Sequence, residues 1–143
     1  PGQEERKRSV KHKLVPQETE IRGKKVLIVD DSIVRGNTSR EIVRMVKDFG
    51  AKEVYFVSAC PPVQHPCYYG VDMPTTEELI ASKKKVDTIK KILGVDILMY
   101  QEVEDLVEAV TRKGDHHIDN PCMACLDGHY VINGRKVHEL VKE

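Results

Sequence analysis

The chain has 143 residues, of which 40% are hydrophobic, so its length and composition fit one domain with a buried core. Lys plus Arg and Asp plus Glu number 23 each, so the formal net charge of +0 does not favour a nucleic acid or an anionic membrane as partner. No apolar run approaches the roughly 20 residues of a membrane-spanning helix, and the start PGQEERKRSVKHK lacks the apolar core of a secretory signal, so we expect a cytoplasmic protein.

The first predicted elements are a polar segment, a strand and a helix. Residues 1–24 are basic and poor in apolar side chains, which predicts a mobile loop or linker, and the start at Pro1 rather than Met suggests a chain cut from a longer one. The branched apolar run 26–29 predicts a parallel strand covered on both faces. Apolar residues at helical spacing from Ser39, ending at Gly50, predict a helix.

Strands and helices alternate through the rest of the chain to residue 113. We predict strands at 54–57 and 95–100, a helix that begins at Thr75 or Thr76, and helices at 82–93 and 104–112. This alternation predicts an α/β core at residues 25–113, with a parallel sheet and right-handed connections. Residues 114–143 lack such a pattern and predict an irregular tail that contains cysteines.

The segment DDSIVRGNTS at residues 30–39 carries the clearest functional pattern. It follows the first strand and precedes a helix, where α/β sheets bind ligands. Two adjacent carboxylates, Asp30 and Asp31, would repel a phosphate but accept hydrogen bonds from a diol. An acidic strand end before a capped helix explains Asp30 or Ser39 singly but not the whole segment. Backbone N–H groups and hydroxyls of the loop suit a phosphate, so the segment predicts a site for a phosphorylated ribose, with phosphate ligands among Arg35, Gly36, Asn37, Thr38 and Ser39.

The four cysteines, Cys60, Cys67, Cys122 and Cys125, are expected to be reduced thiols or metal ligands because no export signal is present. The CMAC sequence brings two thiols within reach of one metal, and the cysteine of HPCYYG can supply a third. Spacing alone leaves zinc, an iron–sulfur cluster, a redox pair and buried thiols open.

The histidines and two adjacent tyrosines receive no catalytic role. The histidines are scattered through loops and tail, which favours solvated or locally hydrogen-bonded side chains over metal ligands. Tyr68 and Tyr69 are expected to pack against the loop that contains Cys67 rather than to stack on bases. The histidines concerned are His65, His116, His117, His129 and His138.

The sequence DDSIVRG-x-TS resembles the phosphoribosyl pyrophosphate (PRPP) motif of type I phosphoribosyltransferases, in the form found in amidophosphoribosyltransferases. The resemblance implies a partial type I fold, in which Asp30 and Asp31 contact the ribose hydroxyls and help to hold Mg²⁺. Asn37 departs from the common Thr of the family. The implied PRPP-binding residues are Asp30, Asp31, Ser32, Arg35, Gly36, Asn37, Thr38 and Ser39.

Two further segments resemble the same family. From charge alone the basic stretch is a solvated linker, but PGQ-x-x-R-x-x-SV-x-x-KL resembles the flexible loop that closes over PRPP, which implies a catalytic role for Lys13. Lys11 and His12 stand where relatives often have arginine. HPC-x-YG followed by C-x-x-C resembles the ligand set of a 4Fe–4S cluster with a structural, oxygen-sensitive role, whose fourth ligand lies upstream and is not Cys60. The implied cluster ligands are Cys67, Cys122 and Cys125.

The resemblance implies transfer of glutamine-derived ammonia to C1 of PRPP, giving 5-phosphoribosylamine, pyrophosphate and glutamate, the first step of purine synthesis. It also implies a homo-oligomer, a tetramer in the family. The chain covers about the final third of such a protein without its glutaminase domain, so the segment alone is predicted to be inactive. Two alternatives remain: a phosphoribosyltransferase acting on a purine or orotate base, and a non-catalytic module that senses PRPP.

Overall fold

The computed structural model describes residues 15–71, 75–112, 118–132, 135 and 136. Helices and strands alternate along these residues. In chain order they are α1 (Glu18–Ile21), β1 (Lys25–Asp30), α2 (Asn37–Asp48), β2 (Glu53–Ser58), α3 (Val86–Leu93), β3 (Ile97–Tyr100), α4 (Val103–Thr111), α5 (Ala124–Asp127), β4 (Val131–Ile132) and β5 (Arg135–Lys136).

Strands β1, β2 and β3 form a parallel sheet in that order, which confirms the predicted α/β core. Branched and aromatic residues fill all three strands, as is usual for strands of a parallel sheet. The register pairs Asp30 with Ser58 and Ser58 with Tyr100. The carboxyl ends of the strands therefore lie side by side, and the loops that follow them share one edge of the sheet.

One face of this sheet is buried beneath α2 and α3. Val54 and Phe56 are fully buried there, and they pack with Val43 of α2 and Ile89 of α3. These helices place their apolar residues three and four positions apart, so each presents one apolar face to the strands. The core lies between this face and the two helices.

The opposite face of the sheet is apolar and open to solvent. Leu27 and Val29 of β1 are 59% and 66% exposed, and Ile97 and Met99 of β3 are 43% and 56% exposed. The expectation that the first strand is covered on both faces is therefore wrong for the part of the chain that the structure describes. No described element packs over these side chains.

The helix predicted to begin at Thr75 or Thr76 does not form. Residues 76–78 make a turn in which the Glu78 N–H donates to the Thr75 carbonyl at 3.0 Å. The Ile80 N–H then donates to the Val34 carbonyl at 2.9 Å. A contact with a distant loop has replaced the local hydrogen bond that a helix would need.

The remaining helices lie near their predicted positions. Helix α2 begins at Asn37, two residues before the predicted start, and α4 is shifted by one residue. Helix α3 begins at Val86 rather than at Ser82, because Lys85 is extended (φ −72°, ψ 154°) and the Ser82 hydroxyl donates to the Leu79 carbonyl at 3.1 Å.

The tail contains more regular structure than predicted. Helix α5 places Leu126 against Val63 and Leu79 in a second small core, and β4 pairs with β5 in antiparallel fashion. The short helix α1 lies within the segment predicted as a linker, and residues 1–14 of that segment, which include Lys13, are outside the described residues. Among the described residues, no helix combines the length and apolarity required to span a bilayer.

Candidate functional site

The two acids Asp30 and Asp31 lie at the carboxyl end of β1. The Asp30 carbonyl accepts a hydrogen bond from the Ala59 N–H at 2.9 Å, which ties this point to the end of β2. Asp30 Oδ1 accepts from the Asp31 N–H at 3.0 Å, and Asp31 Oδ1 accepts from the Ser32 hydroxyl at 3.2 Å. Each of these bonds uses one carboxylate oxygen, so the second oxygen of each acid remains for a ligand.

Gly36 makes the transition from this loop into α2. Its backbone has φ +75° and ψ −2°, a left-handed conformation that glycine adopts without steric cost. The Gly36 carbonyl accepts from the Arg40 N–H at 3.0 Å, which closes the first helical turn. The first N–H groups of a helix have no intrahelical acceptor, and no side chain in the described part of the chain caps those of α2. The start of α2 thus offers backbone donors to an anion.

Two buried residues anchor the predicted phosphate loop in the protein interior. Ile33 is 1% exposed and belongs to the main core, and Ser39 is 3% exposed. Asn37 and Thr38 are exposed at the same helix start. The structure therefore brings all the predicted PRPP-binding residues together at one edge of the sheet, namely Asp30, Asp31, Ser32, Arg35, Gly36, Asn37, Thr38 and Ser39.

The two carboxylates suit a magnesium ion that also binds a ligand. Mg²⁺ is usually held by one or two carboxylates together with substrate phosphates and water. Within the described residues, no group of three or more His, Cys, Asp or Glu side chains could hold a metal ion by itself. Two adjacent carboxylates are the number that Mg²⁺ takes from a protein when substrate phosphates and water complete its ligands.

Cys67 and Cys122 lie near Cys125, where the tail meets the loop after β2. The Cys125 carbonyl accepts from the N–H groups of both Gln64 and His65, each at 3.0 Å. Burial raises the pKa of the Cys125 thiol, and the nearby Cys122 and Cys67 raise it further. All four cysteines are free. In the part of the chain that the structure describes, no group of three or more His, Cys, Asp or Glu side chains could hold a metal ion, so the 4Fe–4S ligand set of Cys67, Cys122 and Cys125 stays a prediction.

Cys60 occupies a position that the sequence did not reveal. It is half-buried and packs against the second core. Burial raises the pKa of its thiol, with further contributions from Cys125 and Asp31. Cys60 therefore lies near both Cys125 and Asp31. Its place two residues after β2, beside β1 in a parallel sheet, is the signal that could have located it.

Three tyrosines fasten the Cys67 loop to the tail. The Tyr69 hydroxyl donates to the Val131 carbonyl at 2.9 Å and accepts from the Val131 N–H at 2.6 Å. The rings of Tyr68 and Tyr130 lie 4.7 Å apart, and the Tyr130 hydroxyl donates to the Pro66 carbonyl. Tyr68 and Tyr69 thus contact the tail, whereas we expected them to pack against the loop that contains Cys67.

Two histidines, His65 and His129, lie among the described residues, and each makes a separate contact. The His65 ring lies against Gly128, where an added Cβ would be 3.1 Å from the ring. His129 Nδ1 lies 3.4 Å from the Asp127 carboxylate. The positions of His116, His117 and His138 lie outside the described residues.

Known proteins share both the sequence and the fold of this chain. Residues 1–98 match the family model of the phosphoribosyl transferase domain. The chain belongs to this family. It is 46% identical over 130 residues to the amidophosphoribosyltransferase of Methanothermobacter thermautotrophicus. This alignment covers 91% of this chain and 27% of that protein. It is 49% identical over 131 residues to the Pseudomonas aeruginosa amidophosphoribosyltransferase, covering 92% of this chain and 26% of that protein.

A solved structure gives the same result for the fold. The glutamine PRPP amidotransferase from Bacillus subtilis, complexed with ADP and GMP, superposes with a TM-score of 0.72 at 40% identity. The match covers 94% of this chain and 30% of that structure. The predicted family and the partial type I phosphoribosyltransferase fold are confirmed. The chain spans between about a fifth and a third of the length of the relatives that it matches.

Proposed function

We propose that this chain supplies the PRPP site of an amidophosphoribosyltransferase, which transfers glutamine-derived ammonia to C1 of PRPP and releases pyrophosphate. The observation that carries this proposal is the juxtaposition of Asp30 and Asp31 with the uncapped start of α2. A phosphorylated ribose presents a diol to the acids and a dianion to the helix. The similarity to amidophosphoribosyltransferases over more than nine-tenths of the chain supports the same reaction.

Each group of residues has a distinct role in this proposal. The N–H groups at the start of α2, with the exposed Asn37 and Thr38, bind the 5-phosphate and fix the position of the ribose. The Asp30 and Asp31 carboxylates accept hydrogen bonds from the ribose hydroxyls. They also stabilise the positive charge that develops at C1 as its bond to pyrophosphate breaks. Asp30 and Asp31 would hold magnesium, which would supply charge neutralisation for the leaving pyrophosphate. Lys13 lies in the segment that closes over PRPP and excludes water.

The three cysteines at the junction of the tail and the loop after β2 have a structural role in the same proposal. Cys67, Cys122 and Cys125 would hold a 4Fe–4S cluster with a fourth ligand from another part of the protein. The cluster would join the loop after β2 to the tail, which the Cys125 carbonyl and the tyrosines already do without metal. We further propose that the protein is cytoplasmic and forms a homo-oligomer.

The test is pyrophosphate release from PRPP by the full-length protein, purified without oxygen and supplied with Mg²⁺. We expect release with glutamine and with free ammonia. Asp31→Asn should lower the rate by about a hundredfold, because it removes a charge that stabilises the transition state. Asp48→Asn, at the far end of α2, is the matched control and should change little.

Two other outcomes would replace this function with a different one. Release of pyrophosphate only when a purine base or orotate is present would identify a base phosphoribosyltransferase. PRPP binding without pyrophosphate release under any of these conditions would identify a regulatory module that senses PRPP. The 143-residue chain alone should release no pyrophosphate, because it spans only part of its relatives.

A further inference from the structure

An ion pair joins the phosphate loop to the turn at residues 76–78. Arg35 Nη2 lies 3.5 Å from Glu78 Oε2, and the two side chains are 30% and 54% exposed. Arg35 immediately precedes Gly36, whose left-handed backbone starts α2. The ion pair therefore lies next to the residue at which the loop turns into α2.

The backbone on the far side of Glu78 is fixed against the same loop. The Ile80 N–H donates to the Val34 carbonyl at 2.9 Å, and an added Cβ at Gly36 would lie 2.5 Å from Ile80 Cδ1. Leu79 is fully buried and Ile80 is 6% exposed. Residues 79 and 80 thus hold the loop by packing and one backbone bond, while the Glu78 carboxylate holds the side chain of Arg35.

We propose that Glu78 is a positioning residue for PRPP binding. It restrains Arg35 and thereby keeps the N–H groups at the start of α2 in the orientation that receives the 5-phosphate. A loop that is already ordered loses less conformational freedom when a ligand binds. This inference rests on the proposed function, because it concerns the same site.

The experiment compares Glu78 variants of the full-length protein by two measurements, the Kd for PRPP from titration calorimetry and pyrophosphate release with ammonia. Glu78→Ala should raise both the Kd and the KM for PRPP by about two- to fivefold, as for a partly exposed ion pair, with kcat unchanged. Glu78→Gln keeps the shape and some hydrogen bonding, so its values should lie between those of the wild type and Glu78→Ala. Glu77→Ala, at the exposed neighbouring position, should match the wild type.

A double-mutant cycle with Arg35→Ala identifies the partner of Glu78. In the Arg35→Ala background, Glu78→Ala should have no further effect on the Kd for PRPP. An equal effect in both backgrounds, or a lower thermal midpoint with a lower kcat, would show a general structural role and overturn the proposal. Tighter PRPP binding by both Glu78 variants would also overturn it, because the Glu78 carboxylate would then be repelling the 5-phosphate.

The two measurements separate this inference from the proposed function. If the wild type binds PRPP but releases no pyrophosphate, the proposed transferase activity fails, and the Kd values still decide the role of Glu78. If the wild type releases pyrophosphate and the Glu78 variants bind PRPP as the wild type does, only this inference fails.

Discussion

At Gly36 both the backbone conformation and a side-chain contact favour glycine. A left-handed conformation costs a non-glycine residue about 1–2 kcal/mol, and an added Cβ would lie 2.5 Å from Ile80 Cδ1. We therefore expect Gly36→Ala to lower the free energy of unfolding by more than that conformational cost. Urea denaturation of the 143-residue chain measures the loss.

Gly94 provides the matched control for this substitution. Its φ of +74° is nearly the same, but an added Cβ there would meet nothing within 4 Å. Gly94→Ala should show the conformational cost alone, about 1–2 kcal/mol. Equal losses for the two variants would mean that Ile80 yields to the new methyl group without cost.

Tyr100 carries a polar group that the fold leaves unsatisfied. Its hydroxyl is buried and has no hydrogen-bond partner among the described residues, and burial raises its pKa to about 12. Tyr100→Phe removes this group, so we expect the free energy of unfolding at pH 8 to rise by about 1 kcal/mol. Chemical denaturation of the 143-residue chain tests this value.

The pH dependence of the same variant follows from the direction of the pKa shift. Because the folded chain holds the Tyr100 proton more tightly, the wild type loses stability as the pH rises from the ordinary tyrosine pKa of 10 towards about 12. The advantage of Tyr100→Phe should widen over that range. Tyr55→Phe is the control with the opposite expectation at pH 8, since the Tyr55 hydroxyl donates to Glu53 and its loss should destabilise the chain.

At the scale of elements, local patterns predicted the strands better than the connections. The apolar runs that became β1, β2 and β3 were placed within two residues of the observed strands, because an uninterrupted branched run has few other structures available. The helix expected near Thr75 failed because the Val34 carbonyl takes the Ile80 N–H, a contact that no local pattern contains.

For the candidate site too, local sequence patterns predicted one part and missed another. Asp30, Asp31 and the phosphate loop are contiguous in sequence, so their chemistry could be predicted before the fold was known. The Arg35–Glu78 pair and the position of Cys60 near Asp31 each join segments that are distant along the chain. Such pairs depend on the order of strands and on side-chain packing, which composition and spacing do not specify.

Across the sheet as a whole, one apolar face is open to solvent in the part of the chain that the structure describes. Parallel sheets are ordinarily covered on both faces, and under the proposed function the rest of a longer protein covers Leu27, Val29, Ile97 and Met99. In the 143-residue chain, Leu27→Gln or Met99→Gln should therefore change the free energy of unfolding by less than about 0.5 kcal/mol. Phe56→Ala, on the buried face, should cost about 3–5 kcal/mol. A loss of that size for Leu27→Gln would show that the open face is covered in solution.

The strand order has a consequence for how the protein is made. Because β1, β2 and β3 are neighbours both in space and in sequence, each strand can pair with the one synthesised just before it as the chain leaves the ribosome. The turn at residues 76–78 then reaches a phosphate loop that is already formed. The tail is synthesised last, and its Cys125 carbonyl then accepts hydrogen bonds from the N–H groups of Gln64 and His65. In this order of synthesis, Cys125 becomes available to Gln64 and His65 only after the phosphate loop has been made.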